Sequence, residues 1–244
     1  MIGIISAMQE EIQALLNELQ HTKSIEKGMR TYYSGILFNK NVVLVFSRWG
    51  KVASAATTTQ LINDFNVDEI IFTGVAGAIH NDLNIGDIVI GKHLFQHDLD
   101  ASPFYKQFEI PILKKKFVET KDSTKLIAAT NLFITNYNDF IAIKDSKDFD
   151  ITVPKVVYGD IASGDQFISS IDKIKHLNIL LPTTICVEME GASVAQICFE
   201  YNVPFSIIRI ISDKANDNAT IDFSRFANSI ASNYALGILK NYFA

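Results

Sequence analysis

Short runs of apolar, largely β-branched residues recur along the chain: "IGIIS", "VVLVFS", "EIIFTG", "DIVIG", "VVYGDIAS", "TTICVEME" and "FSIIRIIS". Runs of this length and composition read as strands buried on both faces. Between them lie stretches with helical spacing of apolar positions, and helices are expected over residues 8–19, 50–65, 123–136, 191–201 and 222–242. In the last of these, Phe223, Phe226, Ile230 and Tyr234 recur on one face and are predicted to pack on the sheet. The strand–helix alternation predicts an α/β fold with a mostly parallel sheet covered by helices on both sides.

The pattern contains no internal repeat, low-complexity tract or Pro/Gly linker, so residues 1–244 are expected to form one domain. Residues 104–121 mix aromatics, lysines and prolines without a clear period. A long excursion of that kind in a compact domain is usually functional or part of an interface.

Composition narrows the partners. Of 244 residues, 27 are acidic and 22 basic, for a formal charge of −5, and the chain lacks the basic footprint that nucleic acid requires. The N-terminus has no basic stretch before its apolar run, which Gln9, Glu10 and Glu11 cut short. Nothing approaches the roughly 18 apolar residues of a membrane span. A soluble, cytoplasmic protein without nucleic-acid or membrane partners is expected. Cys186 and Cys198 fall in a strand and a helix and read as buried thiols. "HDLD" at residues 97–100 offers one histidine with no second at ligand spacing, so no metal is expected.

In open α/β sheets, ligands bind beyond the carboxyl ends of the strands. Those ends carry "SAMQEE", "SRWG", "TGVAGAI", "SGDQF", "VEMEG" and "ISDKAN". Carboxylates therefore converge on one edge. Glu10 and Glu11 could complement a helix dipole, and Ser212 with Asp213 could form a cap or turn. In "VEMEG", Glu188 could pair with a base such as Arg209 while Glu190 opens the helix, or Glu190 could face a ligand while Glu188 lies on the opposite strand face. "TGVAGAI" lacks the GxGxxG spacing of dinucleotide binders, and no cofactor is expected. Its small residues would let a flat ligand approach the backbone.

Taken in order, "IGIISAMQEE", "GKVASA", "TGVAGAI", "GDIVIG", "SGDQF", "VEMEGASVA", "NVPF" and "ISDKAN" resemble the bacterial 5′-methylthioadenosine/S-adenosylhomocysteine nucleosidases of the nucleoside phosphorylase superfamily. The resemblance covers nearly the whole chain. It implies a three-layer αβα fold around a mixed, mostly parallel twisted sheet, and cleavage of an N-glycosidic bond by water. It also implies Asp213 as the acid that protonates adenine, with Ser212 beside it, and Glu11 as the general base. By the same resemblance Glu190 holds the ribose hydroxyls, Met189 packs on the sugar, Phe167 stacks on adenine and the Ile168 backbone reads the base edge. Gly77, Ala7 and Trp49 would line the same pocket, with Phe223 closing over the 5′ substituent. The family is dimeric, and Ala101 and Phe104 map to a loop that enters the neighbour's pocket. Arg48 and Trp49 stand where the family usually has small or aliphatic residues.

Two other functions fit the same scaffold. A purine nucleoside phosphorylase would need cations around phosphate, but related phosphorylases carry an arginine and a serine where this chain has Phe72 and Val75, and lack an acid at Glu11. Arg48 is the residue that favours this alternative. A non-catalytic nucleoside-binding protein would be favoured by loss of Glu11 or Asp213, and both are present. Within the hydrolases, 5′-deoxyadenosine and 6-amino-6-deoxyfutalosine are further candidate substrates.

Overall fold

The chain begins in the middle of its sheet. In the computed structural model, which describes residues 1–215 and 219–244, strand β1 (Ile2–Ser6) lies parallel between β4 (Lys40–Phe46) and β5 (Glu69–Ala78). Asn216, the last residue of "ISDKAN", lies outside the described residues. Between β1 and β4 come α1 (Gln13–Glu18), β2 (Gln20–Lys27) and β3 (Arg30–Leu37), and α2 (Lys51–Phe65) leads from β4 to β5. Then follow β6 (Ile88–Gln96), β7 (Phe117–Glu119), α3 (Thr124–Thr135), α4 (Ile143–Asp148), β8 (Val156–Ser163), α5 (Ile171–Leu180) and β9 (Thr184–Glu188). The chain ends with α6 (Gly191–Glu200), β10 (Phe205–Asp213), α7 (Ala219–Ser229) and α8 (Ala231–Phe243).

Two kinds of sheet meet at β5. On one side β1, β4, β3 and β2 form an open wing. On the other, β5 pairs in parallel with β10, β10 with β6, β6 with β8, β8 with β9, and β9 returns to β5 through Gly77↔Val187 and Ala78↔Cys186. These five strands close on themselves, so the carboxyl ends of β5, β9 and β10 share one rim. Alternating side chains fill two cores, as a period of two dictates. Ile4, Leu44, Ile71 and Ile208 pack towards Phe133 of α3 and Tyr234 and Ile238 of α8. Ile5, Val43, Val45, Ile70 and Phe72 pack on the other face with Leu61 of α2 and Val194 and Cys198 of α6. Both cysteines are buried free thiols.

Every expected strand is present, and the mixed αβα architecture is the expected one. Four features differ in detail. The hairpin β2–β3 has no apolar run to announce it, because β2 is almost wholly exposed; its strands are set by pairing onto β4 and by a tight turn with Gly28 and Met29 at φ 53 and 60. The first helix starts at Gln13 rather than at residue 8, since the chain turns first around the Glu11 carboxylate. The helix expected over 222–242 is two helices broken at Ile230, whose φ of −131° is not helical. Phe226, Ile230 and Tyr234 reach the core as expected, whereas the break leaves Phe223 only partly buried. Helices α4 and α5 and the short strand β7 were not expected; Ser170 caps the first turn of α5.

The α3–α8 seam is an aromatic cluster. Phe133 is fully buried with the rings of Tyr234, Tyr137 and Phe140 at 5.1, 5.6 and 5.7 Å, and Gly237 leaves room for it. Phe133→Ala should cost about 3–5 kcal/mol in denaturant unfolding. A loss below about 1 kcal/mol would mean that the neighbouring rings collapse into the space.

Candidate active site

The rim of the closed strands surrounds a cleft of about 550 Å³, its open mouth included. Ala7 and Glu11 reach it from the turn after β1, Trp49 from the loop after β4, and Gly77 from β5. Phe167 and Ile168 come from the segment after β8, and Met189 and Glu190 from the end of β9. Ser212 and Asp213 close β10, and Phe223 covers the cleft from α7. Ala101 and Phe104 do not line it; Phe104 is 88% exposed in a turn outside. Met8, Val75, Ala76, Gln166 and Val187 also line the cleft and were not anticipated. All five fall in the quoted motifs "SAMQEE", "TGVAGAI", "SGDQF" and "VEMEG", which were the available signal for them.

Glu11 is buried. Its Oε2 accepts the Ala7 and Met8 N–H groups at 2.9 and 3.0 Å, and its Oε1 accepts the Val75 N–H at 3.0 Å. This is possible because residue 74 is glycine: a Cβ there would stand 2.8 Å from Oε1. Burial pushes the Glu11 carboxyl above its ordinary range, against the pull of Arg209 and the three amides. Asp213 is arranged alike. Its Oδ2 accepts the Ser212 hydroxyl and its Oδ1 the Ala215 N–H, both at 2.8 Å, and a Cβ at Gly77 would lie 2.9 Å from Oδ1. Burial raises its pKa as well. The two glycines of "TGVAGAI" thus make room for carboxylates, beyond any approach of a ligand to the backbone.

"VEMEG" places its two acids differently. The Glu188 carboxylate accepts from Arg209 Nη2 at 2.6 Å and Nε at 3.2 Å, from the Glu190 and Gly191 N–H groups, and from the Ser163 hydroxyl. It therefore pairs with Arg209 and caps α6. Glu190 stands at the N-cap of α6 without capping it, and its Oε1 accepts the Gly50 N–H at 2.8 Å. Burial first, and then the charge of Glu188, push the Glu190 carboxyl up to about 8.

Arg209 does not reach the cleft. It is buried over the Phe72 ring at 4.0 Å, and its Nη1 donates to the Ile208 and Phe72 carbonyls at 2.9 and 3.4 Å. Arg48, the residue that favoured phosphate chemistry, donates to the Met29 carbonyl at 2.6 Å, outside the cleft lining. No lysine, arginine or histidine is among the described residues that line the cleft. Nor do the described residues contain a group of three or more His, Cys, Asp or Glu placed to hold a metal ion. The wall is otherwise apolar and aromatic, with Trp49 and Phe167 both set edge-on to Phe223 at 6.1 and 5.7 Å. Such a cleft suits a flat, neutral ligand with a polar face turned to the acids.

The family profile described as the phosphorylase superfamily matches residues 1–244. The 5′-methylthioadenosine/S-adenosylhomocysteine nucleosidase of Staphylococcus aureus (strain Newman) is 37% identical over 232 residues, covering 95% of this chain and 94% of the relative. Among solved structures, the nucleosidase of that name from Colwellia psychrerythraea 34H, in complex with adenine, superposes with a TM-score of 0.86 at 32% identity, covering 99% of this chain and 93% of that one. The futalosine hydrolase of Helicobacter pylori strain 26695 superposes with a TM-score of 0.80 at 34% identity, covering 99% and 96%. With its buried carboxylates around one cleft and likeness along its full length, the chain belongs to the phosphorylase superfamily and, within it, to the 5′-methylthioadenosine/S-adenosylhomocysteine nucleosidases.

Proposed function

We propose that this chain is a nucleosidase that hydrolyses the N-glycosidic bond of 5′-methylthioadenosine and S-adenosylhomocysteine, releasing adenine and the 5-thio-substituted ribose. The observation that carries this reading is the lining of the cleft, which holds acids and, among the described residues, no lysine, arginine or histidine. Glu188 has Arg209 as its partner, while Glu11 and Glu190 are buried beside it without a cation of their own. Carboxyl groups of that kind place acceptor oxygens, and negative charge as they ionise, where the sugar becomes oxocarbenium-like as the bond breaks. The lining offers no cationic donor to phosphate, which would need one. The Val75 N–H is already bonded to Glu11, and Phe72 lies beneath Arg209, so neither serves an anion.

The chemistry balances with two acids. As C1′–N9 opens, its electron pair goes to adenine, and Asp213 supplies a proton to the imidazole-ring nitrogen. Water adds to C1′ from the opposite face and gives its proton to Glu11. A raised pKa favours both steps, since it keeps Asp213 protonated to higher pH and makes Glu11 a stronger base. Ser212 orients Asp213. Glu190 accepts the ribose hydroxyls and Met189 packs on the sugar. Phe167 stacks on adenine, the Ile168 backbone reads its edge and Gly77 admits it. Ala7, Trp49 and Phe223 surround the rest of the nucleoside. Likeness to the futalosine hydrolase supports 6-amino-6-deoxyfutalosine as a further substrate. 5′-Deoxyadenosine offers the same base and sugar.

The working form is a homodimer in which Ala101 and Phe104 enter the neighbour's cleft. Phe104, Tyr105 and Ile112 are exposed on one excursion, an apolar surface that a partner would cover. We assign it to the cytoplasm as one nucleosidase domain. Two buried thiols and no described helix long and apolar enough to cross a membrane accord with that.

Product analysis tests the reaction. Adenine release from 5′-methylthioadenosine should be independent of phosphate and yield the free sugar; recovery of a sugar 1-phosphate would overturn hydrolysis.

Asp213→Asn and Glu11→Gln should each lower kcat about 10²- to 10⁴-fold while the fold is retained. A variant with normal turnover and a lowered Tm would return that acid to a capping role. Glu190→Gln should lower turnover and also change the pH dependence of stability. The folded state keeps the Glu190 proton up to about 8, while the unfolded chain releases it near the ordinary 4.5. Stability contributed by this proton is therefore present at low pH and lost as pH rises through that window, with a slope of up to about 1.4 kcal/mol per unit. The glutamine variant should lose this slope, and urea unfolding between pH 5 and 8 reads it.

Sedimentation at micromolar concentration should give a dimer. A fully active monomer would remove Ala101 and Phe104 from the site.

A further inference from the structure

Lys51, Asp98 and Asp165 come from three different strand ends and bond one another in a ring. The Lys51 Nζ donates to Asp98 Oδ1 at 2.5 Å and to Gln96 Oε1 at 3.2 Å. The Asp165 N–H donates to Asp98 Oδ2 at 2.8 Å. The Asp165 Oδ1 in turn accepts the Lys51 N–H at 2.8 Å, which closes the circuit. The Lys51 and Asp98 side chains are 17% and 16% exposed, so removing one leaves the other's charge largely out of water. The ring's foundation is firm, since the next residue after Gln96 donates its N–H to Ser163 at 2.9 Å and so ties the end of β6 to the end of β8.

Two strands of the ring run directly into the cleft. Gly50 precedes Lys51, and its N–H is the one that holds Glu190 Oε1. Gly50 has a φ of 94°, and a Cβ on it would lie 3.0 Å from Asp165 Oδ1, so both its conformation and its closeness to the ring require glycine. On the other side Gln166 and Phe167 follow Asp165 and line the cleft. Phe167 is 37% exposed, so burial alone does not set its place. Helix α2 depends on the same contact: its N-cap is a glycine with no side chain, and the carboxylate that serves its first N–H comes from 114 residues away.

We propose that Lys51, Asp98 and Asp165 are positioning residues that form one latch, holding the Gly50 amide on Glu190 and the Phe167 segment over the base site together. The inference rests on the roles given above to Glu190 and Phe167. None of the three lines the cleft, and they act through what they hold. A shift of about 1 Å in groups placed for a transition state can cost about 10²-fold in rate. The latch therefore couples the sugar and base subsites: loosening it harms both.

The test uses purified full-length enzyme carrying Lys51→Met, Asp98→Asn, the two combined, and Lys51→Arg. Steady-state kinetics with 5′-methylthioadenosine, adenine binding by calorimetry, Tm and sedimentation are measured for each. Lys51→Met and Asp98→Asn should each lower kcat about 10- to 100-fold and weaken adenine binding. The combined variant should be no worse than the poorer single, because the two remove one interaction. Lys51→Arg should restore most of the rate. Asp98→Asn is nearly isosteric and decides the matter if Lys51→Met does not fold. Folded, dimeric variants with unchanged kcat and adenine affinity would overturn the latch, as would additive losses. Losses that track only dissociation into monomers would overturn it in favour of an interface role. A wild-type enzyme that releases no adenine would instead refute the nucleosidase reading.

Discussion

The pair between Arg209 and Glu188 is the constraint on which the site depends. Its side chains are 1% and 4% exposed, and burying two charges costs several kcal/mol per ion unless their remaining donors and acceptors are satisfied. Here they are. Arg209 spends its donors on Glu188 and on two carbonyls, and lies flat on Phe72. Glu188 gathers the first N–H of α6, the Glu190 N–H and the Ser163 hydroxyl. One ion pair thus ties together β5, β8, β9, β10 and α6. Arg209 makes no hydrogen bond to Glu11 or Glu190, though its charge holds both carboxyls somewhat lower than burial alone would. The contact that holds the rim together thus keeps the one buried arginine of the site out of the cleft.

Space for those acids is made by small residues on β5. This strand belongs both to the open wing and to the closed ring, so its carboxyl end is crossed by side chains from each. Gly74 admits Glu11 from the β1 side, and Gly77 admits Asp213 from the β10 side. Any Cβ at either position would meet a carboxylate oxygen at under 3 Å. The spacing of the two glycines, three residues along a strand, follows from where its two neighbours end.

Much of this was legible in the chain itself. The seven apolar runs marked strands because their burial on both faces leaves no alternation to obscure them, and the rule of strand ends gathered Glu11, Glu190 and Asp213 before any coordinates. What escaped has physical reasons. The β2–β3 hairpin is exposed and held by its neighbour's edge, so its sequence carries little apolar pattern. The break at Ile230 interrupts a continuous helical period without a glycine or proline to signal it. The pairing of Glu188 with Arg209 was by contrast among the expectations, although the two are 21 residues apart in sequence. Asp165 looked like part of a loop motif, whereas its partners are the start of α2 and the end of β6.

The electrostatic cost of the cleft and its chemistry are two aspects of one arrangement. A fold selected for stability alone would give Glu11 and Glu190 counter-ions or replace them, since burial drives both towards the neutral form. Keeping them buried and held by backbone amides fixes their oxygens in place, so that no reorganisation is needed when positive charge develops beside them. Such an arrangement is of little use to a neutral ground state and of much use to a sugar that becomes positive as adenine departs. It is also the reverse of what a phosphate nucleophile requires. On a scaffold shared with phosphorylases, the choice between water and phosphate therefore reduces to whether acids or cations line the rim, and among the described residues of this chain they are acids.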